Sequence, residues 1–171
     1  MALNEKGLSL VEVLAAVVIL SIVFVGIMTI FPQMTLFNNK TETKLDTMNL
    51  ARQEISLISG ESAWVGKRNS SDSDIYEDFK TVLAAKMPAT GFNKVAQYPK
   101  FVRYEKVDDY RYEADIYLEC QAFLEQDVNG MTCNNPNLTQ LYKVHLKVYD
   151  GARISSQTYS YIKFLVEEKV D

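Results

Sequence analysis

The sequence predicts an α+β fold in which a long N-terminal helix packs on a roughly four-stranded antiparallel sheet. Three observations support this prediction. Residues 13–39 contain no Asp, Glu, Lys or Arg. Apolar residues then recur at helical spacing as far as Ile58, and from Pro99 onward apolar and polar residues alternate. These are the periods of a helix and of half-buried strands.

Composition narrows the functional classes. The chain has 171 residues, a net charge of −4 and 47% hydrophobic residues, with only 7 Gly and 4 Pro. This composition excludes a disordered or collagen-like chain. No long basic run is present to neutralise a phosphate backbone, so we expect no direct binding of nucleic acid. The length fits one domain of roughly 100–150 residues with one additional element.

The additional element is an apolar segment near the N-terminus. Counted over residues 8–31, it is long enough at ~1.5 Å per residue to cross a hydrocarbon layer of about 30 Å, so we predict a transmembrane helix there. A buried core helix is the alternative, but 19 successive residues without a charge, residues 13–31, are unusual in a small domain. The sequence after Phe31 lacks the small residues of a signal-peptide cleavage site, so we expect the helix to be retained.

Glu12 is the exception in this segment. A carboxylate costs up to about 2.5–3.5 kcal/mol at the bilayer centre and less near the interface. One interpretation is that Glu12 stays hydrated among the headgroups and has no role. The other is that something compensates for its charge.

Residues 7–14, which read GLSLVEVL, follow the short leader MALNEKG. This stretch resembles the cleavage and methylation signature of bacterial type IV prepilins, a family that includes minor pilins and the pseudopilins of type II secretion and competence systems. In that family a membrane peptidase cuts after the Gly, the new N-terminal residue is N-methylated, and Glu is the fifth residue of the mature chain. The resemblance covers only residues 3–32.

The resemblance implies a leader peptide at residues 1–7, cleavage between Gly7 and Leu8, and N-methylation of Leu8. Glu12 would then be the fifth mature residue. Leu8 and Ser9 stand where the family most often has Phe and Thr.

Cleavage would also supply the missing compensation for Glu12. It creates a cationic amine at Leu8, and a buried carboxylate is tolerable beside an opposite charge. We therefore hypothesise that Glu12 of one chain meets the amine of a neighbour and sets the register of a staggered assembly, as the resemblance also implies. The family further implies a single-pass protein of the cytoplasmic membrane with a cytoplasmic N-terminus, an extracytoplasmic head and a place in a cell-surface filament.

A second helical pattern covers residues 32–59. We interpret its apolar stripe as the surface on which a globular head, residues 60–171, packs, rather than as a binding site for a partner. The stripe consists of Met34, Phe37, Thr41, Leu45, Met48, Ile55 and Ile58. Its polar face carries Lys40, Glu42, Lys44, Asp46 and Glu54. Gly26 and Pro32 predict a bend between the two halves, since Pro32 lacks the N–H that would bond the Met28 carbonyl. We expect Gly60 to end the helix.

Within the head, Asp74 is the predicted N-cap of a short helix that Pro88 ends. Strands are predicted at residues 101–107, 110–124, 142–148 and 154–166, with Asp150-Gly151 as a hairpin turn. In the second strand we expect the charged face to be solvated: Arg111, Glu113, Asp115 and Glu119.

Signs of catalysis are few. His145 is the only histidine and alternates with apolar residues, which favours a solvated sheet position over a catalytic base. Two cysteines and one histidine are too few for a closed zinc site. We therefore expect no enzyme activity, no cofactor and no metal.

If the head lies outside the cytoplasm, Cys120 and Cys133 predict a disulfide, with two free thiols as the alternative. The many tyrosines of the sheet are interpreted as sheet packing rather than as a stacking surface for a ligand or DNA.

The sequence thus predicts a non-enzymatic minor pilin or pseudopilin, assembled into a type IV pilus-like filament for DNA uptake, type II secretion or attachment. Its expected partners are a prepilin peptidase, other pilins in a hetero-oligomeric filament and the membrane. The alternative is a single-pass anchored binding or sensor domain in which Glu12 is incidental.

Overall fold

The computed structural model describes residues 9–60, 62–68, 76–121, 133 and 138–167. Their elements, in chain order, are α1 (Leu10–Ser59), β1 (Trp64–Gly66), α2 (Phe79–Lys86), a 3₁₀ helix (Met87–Thr90), β2 (Asn93–Gln97), β3 (Phe101–Val107), β4 (Arg111–Gln121), β5 (Gln140–Asp150) and β6 (Arg153–Val166). The chain divides into two compact units, with the boundary between Thr43 and Lys44.

The first unit contains residues 10–43 of α1. The helix assignment continues through this part without interruption, and Pro32 lies inside the helix. Its apolar side chains are exposed throughout. Apart from the Met28 carbonyl, which has no N–H donor at Pro32, the backbone groups of the helix interior are bonded within the helix and need no water.

The second unit is built on a six-stranded sheet in the order β1-β6-β5-β4-β3-β2. Neighbours from β2 to β6 pair antiparallel, whereas β1 pairs parallel to β6. The α+β class is confirmed, but the prediction of four antiparallel strands is wrong, because the sheet is mixed and has two further strands. The four predicted strands correspond to β3, β4, β5 and β6.

Both missed strands lie at sheet edges. β1 has only three residues, too few for an alternating pattern to show. β2 reads NKVAQ and is exposed at nearly every position, so no apolar face marks it in the sequence. The predicted hairpin turn is shifted by one residue: Asp150 still pairs with Arg153, and Gly151, with φ of 59°, and Ala152 form the turn.

The last part of α1 belongs to the second unit and packs on the sheet. Its buried residues are Thr47, Ala51, Glu54, Ile55 and Ile58. α1 ends at Ser59, and Gly60 follows with φ of 61°, which confirms the predicted helix end.

The predicted apolar stripe is therefore only partly correct. Ile55 and Ile58 are buried, but Leu45 and Met48 of the same unit are exposed. Met34, Phe37 and Thr41, in the first unit, are exposed as well. The helix face toward the sheet mixes polar and apolar residues because the sheet presents polar groups to it.

Polar contacts attach α1 to the sheet at Thr47 and at Glu54. The hydroxyls of Thr47 and Ser155 lie 2.8 Å apart, and Ser156 donates to the Thr47 carbonyl oxygen at 2.8 Å. About two turns further, Lys106 Nζ in β3 lies 2.6 Å from Oε1 of Glu54. Glu54 was predicted on the solvated face of the helix, and this prediction is wrong: its side chain is buried between helix and sheet.

Helix α2 begins later than predicted. Its N-cap is Asp78, whose Oδ1 accepts hydrogen bonds from the backbone N–H and the hydroxyl of Thr81 at 2.9 and 2.6 Å. The predicted cap Asp74 lies outside the described residues. Phe79 then stacks on Tyr142 of β5 with ring centroids 3.6 Å apart, and this stack packs α2 on the sheet.

On the opposite sheet face, Glu119 of β4 is exposed as predicted and Arg111 is partly exposed, but Glu113 and Asp115 are not solvated. Asp115 binds Arg103 of β3 at 2.7 Å and Lys147 of β5 at 2.8 Å, and Lys147 also lies 2.7 Å from Glu113. Glu113 and Asp115 are both buried. Cations from the two flanking strands cover the carboxylates, which a pattern within one strand does not reveal.

Candidate functional site

The first candidate site is the apolar part of α1. It is long and apolar enough to cross a membrane, and none of its most apolar window is buried. Its two hydroxyl groups are bonded within the helix: Ser21 donates to the Val17 carbonyl at 2.7 Å, and Thr29 donates to the Gly26 carbonyl at 2.7 Å. This segment can therefore lie in lipid without an unpaired hydroxyl.

Gly26 and Pro32, the predicted bend, both lie inside this helix. Helical assignment continues through both residues. A Cβ added at Gly26 would find no atom within 4 Å. The Met28 carbonyl loses its usual donor at Pro32, so a bend there stays a prediction.

Glu12 lies in the first turn of α1. Its backbone N–H donates to the carbonyl and the hydroxyl oxygen of Ser9 at 3.0 and 3.3 Å, so Ser9 caps the helix. A carboxylate in the first turn is favoured by the helix dipole. Glu12 is exposed, and no ion pair to it is found among the described residues. Gly7 and Leu8, the predicted cleavage and methylation positions, lie outside the described residues.

The two cysteines form the predicted bond. Cys120, near the end of β4, and Cys133 are joined as a disulfide with their Cα atoms 5.7 Å apart. The alternative of two free thiols is excluded in this structure. Nε2 of Gln140 donates to the Cys133 carbonyl oxygen at 3.2 Å, which connects the bridge to the start of β5.

His145 is a partly buried member of β5. Its Nε2 lies 3.1 Å from Oε1 of Gln157, and its ring stacks on Tyr159 with centroids 4.2 Å apart. Burial lowers the pKa of the imidazole, more than the hydrogen bond to Gln157 raises it. Burial thus favours the neutral imidazole, and the ring is engaged by neighbours in the sheet.

The tyrosines divide between the two faces of the sheet. Tyr104, Tyr112 and Tyr142 are buried on the face toward α1. Tyr159 and Tyr161 are about half exposed on the other face, and Lys143 Nζ lies 4.6 Å from the ring centroid of Tyr159. Packing within the sheet therefore accounts for the first group but not for all of the tyrosine surface.

In the ion-pair cluster of Arg103, Glu113, Asp115 and Lys147, the pKa values of Asp115 and Lys147 are shifted. Burial alone would raise the pKa of the Asp115 carboxyl, but the hydrogen bonds from Arg103 and Lys147 outweigh it and hold this pKa below its ordinary value. Burial alone would lower the pKa of Lys147, but the hydrogen bonds to the Asp115 and Glu113 carboxylates outweigh it and hold this pKa above its ordinary value. Each charged group of the cluster therefore has an oppositely charged partner within the cluster.

Among the described residues, no group of three or more His, Cys, Asp and Glu side chains could hold a metal ion.

The polar residues that join elements were missed in the sequence analysis: Thr47, Lys106 and Gln140. For the helix a signal existed, because Glu54 stands one turn before Ile58 and next to Ile55, on the face that the apolar residues mark. Nothing local marks Lys106 or Gln140.

A scan against protein families finds one match, the prokaryotic N-terminal methylation motif, over residues 3–28. Neither a curated protein nor a solved structure matches the chain. The matched residues include Glu12 and the positions at which cleavage and methylation were predicted. The chain therefore carries the N-terminal signature of type IV prepilins, and with its long apolar helix it fits a membrane-anchored, pilin-like subunit.

Proposed function

We propose that the chain is a non-enzymatic minor pilin or pseudopilin. It is cut after Gly7, N-methylated at Leu8, held in the membrane by residues 8–31 and then assembled with other pilins into a type IV pilus-like filament. The observation that carries the proposal is the methylation motif at residues 3–28, which leads into a helix whose only charged residue before Lys40 is Glu12.

The chemistry of Glu12 supports assembly rather than simple anchoring. An anchor needs only apolar residues, and a carboxylate weakens it. Glu12 is exposed, so its carboxylate is available to another chain. After cleavage each subunit carries a cationic amine at Leu8, and a neighbour staggered along a filament brings that amine to Glu12. The charge then selects one register out of the many that an apolar helix would allow.

The helix suits both environments of such a subunit. Its Ser and Thr hydroxyls are bonded to carbonyl oxygens of the same helix, as in the Ser21–Val17 contact. The same surface can therefore be covered by lipid before assembly and by neighbouring apolar helices afterwards. No rearrangement of the helix is needed for that exchange.

The remaining features support a minor, structural subunit. The glycine content is low, with 7 residues in 171, and the helix is rich in valine, which resembles accessory rather than major subunits. The single histidine is engaged with Gln157 and Tyr159, which argues against its use as a general base. The filament serves DNA uptake, type II secretion or attachment.

Incubation of the full chain in detergent with a prepilin peptidase tests the proposal, with intact mass as the readout. We expect loss of the seven residues MALNEKG from the natural sequence and no cleavage of a Gly7→Asp variant. In cells, the functional protein should begin at a methylated Leu8. A chain that functions while still beginning at Met1 would overturn the proposal and favour a single-pass anchored binding or sensor domain.

A further inference from the structure

The Cys120–Cys133 disulfide is connected by hydrogen bonds to the core of the head. The Cys133 carbonyl oxygen accepts a hydrogen bond from Nε2 of Gln140 at 3.2 Å. Oε1 of the same side chain accepts one from the Tyr142 hydroxyl at 2.8 Å. Both ends of the Gln140 amide are used, one toward the disulfide-bonded residue and one toward the core.

The Tyr142 ring continues this connection into an aromatic cluster. It stacks on Phe79 of α2, with centroids 3.6 Å apart, and meets Phe164 of β6 edge-on at 6.1 Å. Phe79 also lies 6.2 Å from Trp64 of β1. The cluster of Trp64, Phe79, Tyr142 and Phe164 thus joins α2 and β1 to the two strands beneath them.

Because Gln140 and Tyr142 are buried, the hydrogen bonds between Cys133 and the aromatic cluster contribute to the stability of the packing. Gln140 and Tyr142 are each 8% exposed. A buried amide or hydroxyl that loses its partner cannot turn to water, so it destabilises the packing around it. The disulfide holds Cys133 beside β4, and its carbonyl within reach of Gln140.

We propose that the Cys120–Cys133 bond acts through Gln140 as a redox-sensitive device that completes the packing of α2 and β1 on the sheet. Opening the bond takes two electrons and two protons from a dithiol, which itself becomes a disulfide, and leaves a thiol on each cysteine. A disulfide-bearing oxidant reverses the exchange. In the reduced chain Cys133 is released from Cys120, Gln140 loses its acceptor, Tyr142 loses a fixed partner, and α2 loosens while the pairing of β3 with β4 stays. This device does not depend on the role of the chain in a filament.

Amide hydrogen exchange on the full chain in detergent, oxidised or reduced by a dithiol, tests the proposal. We expect exchange in α2 and β1 to become roughly tenfold faster on reduction, the change in local opening that the loss of one buried hydrogen bond produces. Exchange in β3 should not change. Trp64 is the only tryptophan, so quenching of its fluorescence by acrylamide reports on the same cluster and should increase.

Two variants separate this connection from general loosening. Gln140→Leu removes both hydrogen bonds, and Tyr142→Phe removes one but keeps the ring that stacks on Phe79. In both, α2 should exchange fast while the disulfide is intact, and reduction should add little. Gln97→Leu, on the exposed edge strand β2, is the matched control and should respond to reduction as the natural chain does. The proposal fails if reduction leaves α2 and Trp64 unchanged, or if it accelerates α2 as much in Tyr142→Phe as in the natural chain.

Discussion

The Ser156 hydroxyl of β6 donates a hydrogen bond of 2.8 Å to the carbonyl oxygen of Thr47, a fully buried residue of α1. The adjacent Ser155 reaches the Thr47 hydroxyl, also at 2.8 Å. Two successive strand residues can reach one helix residue because the register shifts here: Val148 pairs with Ser156 and Tyr149 with Ile154, which leaves Ser155 as the extra residue of a bulge. The bulge thus creates a polar attachment point for the helix.

Replacement of Ser156 by Ala should lower the free energy of unfolding of the head by about 0.5–1.5 kcal/mol, because the change removes a buried hydrogen bond while the Thr47 carbonyl keeps its bond within the helix. Urea unfolding of the full chain in detergent, followed by Trp64 fluorescence, measures this. Ser160→Ala, further along the same strand, is the control and should change little. Equal effects of the two substitutions would show that the contact with Thr47 contributes nothing specific.

The buried pair of Glu54 and Lys106 should behave as a unit. Lys106→Met leaves the Glu54 carboxylate buried without its cation, and we expect a loss of about 3–5 kcal/mol. Oε2 of Glu54 already has no partner among the described residues. The double variant Glu54→Leu with Lys106→Met should lose much less, because no unpaired charge remains. A double variant as unstable as Lys106→Met alone would contradict this explanation.

Local patterns in the sequence were sufficient for much of the fold. β3 to β6 were predictable because one face of each strand is apolar, and the end of α1 was predictable from Gly60, whose positive φ suits a residue without a side chain. β2 was not predictable, because an exposed edge strand such as NKVAQ has no buried face to mark it. The candidate functional site was predictable for the same reason, because the methylation motif is one contiguous stretch of the sequence.

Contacts between distant segments were not predictable. Glu54 and Lys106 are 52 residues apart, and although Glu54 lies on the apolar face of its helix, nothing in either segment identifies the other as its partner. Asp115 was placed on a solvated face because its own strand alternates regularly, but Arg103 and Lys147, which cover it, come from the strands on either side. Whether these carboxylates are buried depends on which strands pair with each other. The alternation within one strand carries no information about that pairing.

Asp115 predicts how the stability of the head depends on pH. Its pKa is held below the ordinary value in the folded chain, so its stabilising contribution is complete above the unfolded pKa of about 3.9 and is lost as the pH falls through the lower, folded pKa. The urea midpoint should therefore fall as the pH is lowered below about 4. Asp115→Asn should flatten this fall, whereas Asp109→Asn, in an exposed turn, should keep it. An unchanged slope in Asp115→Asn would rule out this carboxylate as the source.

Glu12→Gln should separate insertion from assembly. Removal of the charge lowers the cost of placing the residue in lipid, by up to about 2.5–3.5 kcal/mol at the bilayer centre, so insertion should be intact. Incorporation into filaments should be abolished, because a neutral amide offers no charge to the amine at Leu8 of a neighbour. Immunoblots of membranes and of sheared filaments measure the two steps. Glu42→Gln, an exposed position of the same helix, is the matched control and should be incorporated normally. If Glu12→Gln is incorporated as well as Glu42→Gln, the carboxylate does not set the register, and apolar contacts along the helix must do so instead.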